Sequence, residues 1–267
     1  MTRRYVADVG NTRIKWAELE PCDVSQAAEA RQGVNETRTV GEMQAVAEDE
    51  LQWEHCLPQQ PGQWLLASVR PTRAEHLASW LRQRGHTVRV CDRASQIPLR
   101  LELDQPQQVG VDRLLNALAV GARLQPGESA TLIDAGSAVT VDLLDAQQIF
   151  RGGVIFPGLD LMAQALHSYT ALLPLVTFQL PIPKPPARAT EAAMQAGIYA
   201  AVVGGIQRCV SVYETSRVFL TGGQAVLLAD ALPGVEVCPS LTLEGIAALW
   251  DTVDDAHGHA MAKETVS

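Results

Sequence analysis

The sequence reads Asp8-Val-Gly10-Asn11-Thr12-Arg-Ile-Lys15 near its start and Asp134-Ala-Gly136-Ser137-Ala-Val-Thr140 further along. Both stretches carry the same pattern: Asp, any residue, Gly, then Asn or Ser, then Thr or Ala. An apolar run precedes each Asp and another follows each turn, which predicts a strand, a tight glycine turn and a second strand. One such turn more often only closes a hairpin. Its repetition favours a fold built from two similar halves.

The repeated turn has the chemistry of a phosphate-binding loop. Glycine lets the backbone come close to a ligand, and the neighbouring hydroxyl, amide and N–H groups can donate to phosphate oxygens. The carboxylate can hold a cation. Two such turns facing each other would form a clamp for a nucleotide.

Composition narrows the class of protein. The chain has 267 residues, of which 47% are hydrophobic and 19% charged, so it can bury a sizeable core in one large domain or two ordinary ones. No apolar segment reaches the roughly 20 residues needed to cross a bilayer, and no signal-peptide core precedes the first motif. A net charge of −9 opposes nonspecific binding of nucleic acid. We expect a cytoplasmic protein with a small-molecule ligand, and neither nucleic acid nor membrane as a partner.

The cysteines indicate neither a disulfide framework nor a zinc site, because their number is odd and they form no C-x-x-C pair. We expect buried, reduced thiols at all five positions, which are Cys22, Cys56, Cys91, Cys209 and Cys238.

Hydrophobic periodicity predicts an α/β succession in both halves. The first half should contain strands over 4–9, 12–19, 64–68 and 87–91, with helices over 42–56, 72–84 and 110–123. The second should contain strands over 130–134, 138–144, 148–156, 217–221 and 235–238, with further helices that include 223–231 and 241–250. Residues 181–187 should form an extended loop. We divide the chain into an N-terminal half over 1–117, a C-terminal half over 118–250 and a flexible tail over 251–267.

Two further segments carry candidate functional groups. Asp112 next to Arg113 at a helix start would be stabilised as the anion by the neighbouring charge and the helix dipole, although an Asp in a first turn is also ordinary capping chemistry. The turn after Leu220, which is Thr221-Gly222-Gly223, can pack flat against a nucleoside or merely begin a helix.

Six segments in this order resemble the type III pantothenate kinases, which belong to the actin, hexokinase and Hsp70 ATPase superfamily. They are DVGNTRIK (8–15), GVDR (110–113), DAGSAVTVD (134–142), GGVIFPG (152–158), TEAAMQAG (190–197) and TGG (221–223). One segment would be weak support, whereas six in the same order across residues 4–250 are specific. The resemblance implies an α/β fold of two duplicated ribonuclease-H-like halves, as in the actin-like ATPases, enclosing a cleft.

The resemblance also implies where ATP and metal ions bind. ATP phosphates, together with Mg²⁺, would be held by the first loop, whose residues are Asp8, Val9, Gly10, Asn11, Thr12, Arg13, Ile14 and Lys15. Asp8 would meet the Mg²⁺ through ATP. Ser137 would contact ATP where the family usually has Thr, and Asp134 would be the ligand of an activating K⁺ or NH₄⁺.

The substrate residues follow in the same way. Pantothenate would contact Gly110, Val111, Asp112 and Arg113, with Asp112 accepting the proton of the 4′-hydroxyl and Arg113 binding the carboxylate. Thr190 matches a further contact, reached from the neighbouring subunit of a homodimer. Leu103 stands where family members often have Tyr, so one substrate hydrogen bond, worth roughly 0.5–1.5 kcal/mol, is expected to be missing.

These implications amount to a cytoplasmic, ATP-dependent pantothenate kinase that performs the first step of coenzyme A biosynthesis. Two alternatives stay open. One is a non-catalytic accessory or regulatory protein that keeps the fold to bind nucleotide, against which the intact Asp8, Asp112 and Asp134 argue. The other is a superfamily kinase for another small substrate, from which only the 110–113 and 190–197 segments distinguish this chain.

Overall fold

The computed structural model describes residues 2–10, 13–21, 38–47 and 49–250. The predicted ATP ligands Asn11 and Thr12, the thiol of Cys22 and the predicted tail lie outside the described residues. Contacts divide the chain into two compact units. Unit 1 comprises Met1–Leu99, Asp104–Ala122 and Ser240–Ser267, and unit 2 comprises Arg100–Leu103 and Arg123–Pro239. The sequence-based limits at 1–117 and 118–250 stay a prediction about folding domains.

Unit 1 is built on a six-stranded sheet. Its strands are β1 (Arg4–Val9), β2 (Ile14–Pro21), β3 (Arg38–Val40), β4 (Gln44–Val46), β5 (Gln63–Ala67) and β6 (Thr87–Cys91). The order is β3-β2-β1-β5-β6, and β4 also pairs with β2. β2 runs antiparallel to β1, whereas β5 and β6 run parallel to it. Among the described residues, the α-helices of unit 1 are α1 (Glu50–Cys56), α2 (Pro71–Gln83), α3 (Val111–Gly121) and one over 241–250.

An aromatic cluster forms much of the core of unit 1. The rings of Tyr5 and Trp64 stack with their centroids 4.7 Å apart, and Trp16 meets Tyr5 edge-on at 6.1 Å. Trp53 of α1 and Trp80 of α2 pack against each other. All of these rings are buried, as expected for large apolar surfaces, whose burial dominates core energetics.

The last described helix returns to unit 1 and packs on α3. The Thr242 hydroxyl donates to the side-chain oxygen of Asn116 at 2.9 Å, and both residues are buried. A Cβ on Gly245 would lie 2.1 Å from the carbonyl oxygen of Leu115. The backbone of α3 therefore occupies the space that a side chain at position 245 would need. Only glycine allows the two helices to approach this closely.

Unit 2 repeats the same plan. Its strands are β7 (Arg100–Leu101), β8 (Ala130–Ala135), β9 (Ala138–Leu144), β10 (Ile149–Pro157), β11 (Arg217–Thr221) and β12 (Val235–Val237), in the order β12-β11-β8-β9-β10-β7. Its helices are α4 (Leu159–Tyr169), α5 (Thr190–Tyr213) and α6 (Ala225–Leu228).

The two sheets confirm the duplication. In unit 1 the first strand pairs antiparallel with the second and parallel with β5, and in unit 2 β8 pairs antiparallel with β9 and parallel with β11. Asp8 lies opposite Lys15 and Ala67, and Asp134 lies opposite Thr140 and Thr221. The two aspartates therefore occupy equivalent places in two ribonuclease-H-like sheets.

Two predicted helices were wrong in extent. Residues 44–46 form β4 instead of the start of a helix, because they pair with β2 and bury Val46. The helix begins only at Glu50, where the Asp49 carboxylate accepts from the N–H of Leu51 at 3.0 Å. The helix predicted over 223–231 is limited to α6 and a following 3₁₀ turn at Ala229–Ala231.

Other local predictions had mixed outcomes. Residues 181–187 contain neither helix nor strand, which confirms the extended loop. Cys91 and Cys238 are buried, but Cys209 is only half-buried and Cys56 is exposed, so the prediction of buried thiols was wrong for Cys56. Within the described part of the chain, no helix is both long enough and apolar enough to cross a bilayer.

Gly245→Ala should lower the free energy of unfolding by about 1–3 kcal/mol, the usual cost of overpacking, because the new methyl group meets the Leu115 backbone. Gly204→Ala is the matched control. Gly204 is an exposed glycine in α5, and no heavy atom of the described residues outside its own helix lies within 4 Å of its Cβ position. That control should gain about 0.5–1 kcal/mol through helix propensity. Thermal denaturation of both variants measures the difference, and equal shifts of one sign would contradict the packing argument.

Candidate functional site

The first glycine turn lies at the carboxyl end of β1. Asp8 is half-buried and faces Lys15 across the β1–β2 pair. The Gly10 N–H donates to the Arg13 carbonyl at 3.1 Å and closes the turn, and a Cβ on Gly10 would lie 3.2 Å from that oxygen. The turn therefore brings a carboxylate, an ammonium group and a tight backbone loop to one end of the sheet, where ligands of parallel α/β sheets bind.

Not every predicted side chain of this loop is available to a ligand. Val9 and Ile14 are 0% and 1% exposed, so their side chains belong to the core and only their main-chain groups can face a ligand. Arg13 is exposed and Lys15 is half-buried.

The Gly110–Arg113 segment begins α3, with Gly110 as the residue before the helix. The Asp112 carboxylate accepts from the N–H of Arg113 at 2.8 Å. A Cβ on Gly110 would lie 2.5 Å from the Asp112 Oδ1, so glycine leaves the space that the carboxylate fills. Val111 is 3% exposed and packs into the core, so its contact with a ligand is restricted to the main chain.

Burial raises the pKa of the Asp112 carboxyl above its ordinary value, and the N–H and guanidinium of Arg113 act in the opposite direction. Burial is the larger effect because removing a carboxylate from water penalises its charged form. A carboxyl with a raised pKa is a better proton acceptor near neutral pH than an ordinary one.

The raised pKa predicts how stability depends on pH. The unfolded chain releases the Asp112 proton near the ordinary carboxyl pKa of about 4, before the folded protein does, so ionisation costs stability as pH rises. Asp112→Asn removes this cost. We expect urea unfolding to show a variant more stable than the wild type at pH 7, with the gain shrinking as pH falls toward the ordinary carboxyl pKa. A gain that does not change with pH would contradict the assignment of the raised pKa.

The second glycine turn follows β8 in unit 2. Asp134 is half-buried and pairs with Thr140 and Thr221. The Gly136 N–H donates to the Ala138 carbonyl at 3.1 Å, and the carbonyl of Ser137 accepts from the Gly158 N–H at 2.9 Å. The Ser137 residue is exposed. This arrangement joins the second turn to the loop before α4.

Three segments meet here as bare backbone. A Cβ on Gly158 would lie 2.2 Å from the Gly136 carbonyl oxygen, and a Cβ on Gly222 would lie 2.5 Å from the backbone of Ala135. Gly222 also has φ +98°, which favours glycine. We call the backbone of 134–137, 158 and 222 the glycine cradle. The space that a side chain would take at Gly158 and Gly222 is filled by this neighbouring backbone, so glycine lets the three segments pack together.

Gln224 was missed by the sequence reasoning. It is 8% exposed, its N–H donates to the Ala135 carbonyl at 2.9 Å, and its side-chain oxygen accepts from the Leu159 N–H at 3.2 Å. Its side-chain nitrogen donates to the Asp160 carboxylate at 2.8 Å. Gln224 thereby ties the turn after β11 to the glycine cradle and to the start of α4. In the sequence, only its position directly after the Thr221-Gly222-Gly223 turn could have indicated this role.

Thr190 lies in a different setting. It is the first residue of α5, it is exposed, and it lines a cavity of about 600 Å³ in unit 2. The rest of the cavity wall is largely apolar and includes Pro157, Met162, Leu166, Leu173, Met194 and Ile198. The Leu103 side chain lies close to Gly152, 2.9 Å from the position that a Cβ would take there.

Metal binding by protein groups alone has no support in the described residues, where no group of three or more His, Cys, Asp and Glu side chains could hold an ion. A nucleotide-bound Mg²⁺ needs only one or two carboxylates, because phosphates and water supply the other ligands. Asp8, near the end of a strand and beside a glycine turn, fits that more limited requirement.

Comparison of the sequence with known proteins identifies one family. The model of the type III pantothenate kinases matches residues 5–212. A type III pantothenate kinase from Azoarcus sp. (strain BH72) is 32% identical over 258 residues, which are 94% of this chain and 93% of the relative. One from Maricaulis maris (strain MCS10) is 31% identical over 258 residues, 91% and 95% of the two chains.

A solved structure shows the same fold. It is a conserved Campylobacter jejuni protein assigned to the Baf family of transcriptional activators, with a TM-score of 0.63 at 16% identity over 94% of this chain and 99% of that one. At such low identity the likeness concerns the fold alone. The family match and the relatives of nearly full length show that this chain belongs to the type III pantothenate kinase family.

Proposed function

We propose that this chain transfers the γ-phosphate of ATP to the 4′-hydroxyl of pantothenate, the first step of coenzyme A biosynthesis. The observation that carries the proposal is membership of the family across residues 5–212. The two equivalent glycine turns support it, because phosphoryl transfer mainly requires positioning and the offsetting of charge on the transferring group.

We assign the ATP phosphates to residues 8–15 and to Ser137. Lys15 supplies positive charge opposite Asp8, and glycine turns of this kind can present main-chain groups to phosphate oxygens. Bound Mg²⁺, met by Asp8 through ATP, would offset negative charge on the phosphates. Asp134 would hold the monovalent cation, K⁺ or NH₄⁺, at the equivalent place in unit 2.

We assign the substrate to residues 110–113. Asp112 would accept the proton of the 4′-hydroxyl as the oxygen attacks the γ-phosphorus, a role favoured by its raised pKa. The planar guanidinium of Arg113 suits bidentate recognition of the pantothenate carboxylate. Gly110 and Val111 would contribute main-chain contacts only.

We also propose a homodimer in the cytoplasm. Unit 2 carries large exposed apolar residues along β10, α4 and the loop after α4: Ile155, Leu161, Tyr169, Leu172 and Leu175 are between 47% and 91% exposed. Several large exposed apolar side chains on successive elements are what an interface would cover. Thr190 in the nearby cavity would then reach the substrate of the neighbouring subunit. Light scattering coupled to gel filtration would measure the mass, and a monomer at micromolar concentration would contradict the proposal.

The decisive experiment is product formation. Pantothenate and MgATP are incubated with the protein, once with K⁺ and once with Na⁺ alone, and 4′-phosphopantothenate is measured by mass spectrometry. Product that depends on K⁺ supports both the kinase and the cation site, and Asp134→Asn should abolish that dependence. Absence of product under both salts, with the protein folded and ATP bound, would favour an accessory protein or a kinase for another substrate.

A further inference from the structure

The turn between β5 and α2 and the first residues of α2 lie against the first phosphate loop; we call residues 68–73 together the 68–73 turn. Ser68 is 2% exposed, and its hydroxyl donates to the Val9 carbonyl at 2.8 Å and accepts from the Arg70 N–H at 2.9 Å. The Ser68 N–H donates to the Cys91 carbonyl at 3.2 Å. The hydroxyl is therefore held in place by its own turn while it binds the backbone that follows Asp8.

Arg73 holds the next carbonyl along the loop. It lies in the first turn of α2, it is 9% exposed, and its Nη1 donates to the Gly10 carbonyl at 2.7 Å. A buried guanidinium is uncommon and needs polar partners. Consecutive carbonyls of the loop, those of Val9 and Gly10, thus accept hydrogen bonds from two buried side chains of the 68–73 turn.

Unit 2 shows the corresponding anchor at the equivalent place. Ala135 follows Asp134 as Val9 follows Asp8, and the Ala135 carbonyl accepts from the N–H of Gln224 at 2.9 Å. Gln224 stands in the turn after β11, and β11 is the parallel neighbour of β8 as β5 is of β1. In both units the carbonyl after the aspartate is therefore bound by the turn that follows the parallel neighbouring strand.

The 68–73 turn also contacts the substrate segment. The Val69 Cγ1 lies 3.3 Å from the position of a Cβ on Gly110, directly before the helix that carries Asp112. The turn is thus in contact with both the first phosphate loop and the start of α3. A displacement of this turn would therefore affect both the first phosphate loop and the start of α3.

We propose that Ser68 and Arg73 are positioning residues for ATP: they hold the Val9–Gly10 backbone of the first phosphate loop in place before ATP binds. The inference rests on the proposed function, since it takes residues 8–15 as the ATP loop. A preformed set of donors avoids reorganisation during binding and reaction. A purely structural pair would instead affect folding without a selective effect on ATP.

The test separates ATP binding from stability. Arg73→Met removes the donor and keeps much of the side-chain length, and it should raise KM for MgATP at least about tenfold, as expected for the loss of a charge-assisted hydrogen bond. KM for pantothenate should change less than KM for MgATP. Arg73→Lys should recover part of the loss, and Ser68→Ala should raise KM for MgATP by about threefold to tenfold. Arg70→Met, at an exposed arginine in the same turn, is the control and should leave both constants unchanged.

Equilibrium titration with MgATP and thermal denaturation of every variant complete the design. A KM for MgATP at the wild-type value in Arg73→Met overturns the inference. If Arg73→Met does not fold, wild-type values in both Arg73→Lys and Ser68→Ala overturn it equally. Asp8→Ala tests the loop itself: if this variant keeps the MgATP affinity of the wild type, the assigned ATP site has failed, whereas loss of affinity in Asp8→Ala alone leaves that site standing and rejects only the positioning role.

Discussion

Asp112→Asn is expected to lower kcat by about 10²–10⁴, the usual contribution of general-base assistance, while the affinity for MgATP changes little. Asparagine keeps the shape of the side chain and its acceptor for the Arg113 N–H, but it cannot accept the proton of the attacking hydroxyl. Steady-state kinetics with both substrates varied would measure kcat and each KM, and equilibrium titration would measure MgATP binding.

Asp104→Asn provides the matched control, because Asp104 is an exposed carboxylate of the same unit and carries no assigned role. Its kcat should equal that of the wild type. Unchanged turnover in Asp112→Asn would remove this carboxylate from the mechanism. The acidic limb of the wild-type pH profile should also be absent from the residual activity of the variant, since that limb reports protonation of the base.

Gly222→Ala should strongly destabilise unit 2. The new methyl group would lie 2.5 Å from the backbone of Ala135, and the residue would have to keep φ +98°. The overpacking and the left-handed conformation together should cost roughly 2–5 kcal/mol. At roughly 2–4 °C per kcal/mol for a chain of this size, thermal denaturation should show a fall in Tm of the order of 10 °C. ATP binding should weaken as well, because the glycine cradle must open.

The neighbouring glycine distinguishes this steric argument from a general effect of alanine. Apart from Gly223 and its two chain neighbours, no described residue has a heavy atom within 4 Å of a Cβ built on Gly223, and Gly223 has no positive φ. Gly223→Ala should therefore change Tm by no more than about 1 °C. If both substitutions lowered Tm equally, the contact between Gly222 and Ala135 would not be the cause.

Local pattern was sufficient where neighbouring residues determine the structure. The strands on both sides of each glycine turn could be predicted because apolar runs and a turn residue follow one another along the chain. The predictions of duplicated sheets and of the family were also confirmed. The first rests on the repeated glycine turn, and the second on six short segments that occur in the family's order. The predicted roles of Asp8, Asp112 and Asp134 stay predictions that the mutants above would test.

What could not be predicted depends on partners far away in the sequence. Residues 44–46 form a strand because β2 offers an unpaired edge, a fact that no local propensity contains. Arg73 reaches Gly10 across 63 positions, and Gln224 reaches Leu159 across 65. In the sequence alone, Arg73 and Gln224 are ordinary polar residues of a helix and a turn, because their hydrogen-bond partners become neighbours only in the folded chain.

The return of the 241–250 helix to unit 1 has a consequence for biosynthesis of the chain. Translation proceeds from the N-terminus, and N-terminal domains generally fold first. Here the helix that packs on α3 leaves the ribosome after all of unit 2, although β1 leaves it before unit 2. Unit 2, whose segments end at Pro239, has been synthesised completely before unit 1 can close. Unit 1 must therefore wait, with the surface of α3 around Leu115 and Asn116 uncovered, until the segment after Pro239 has been synthesised.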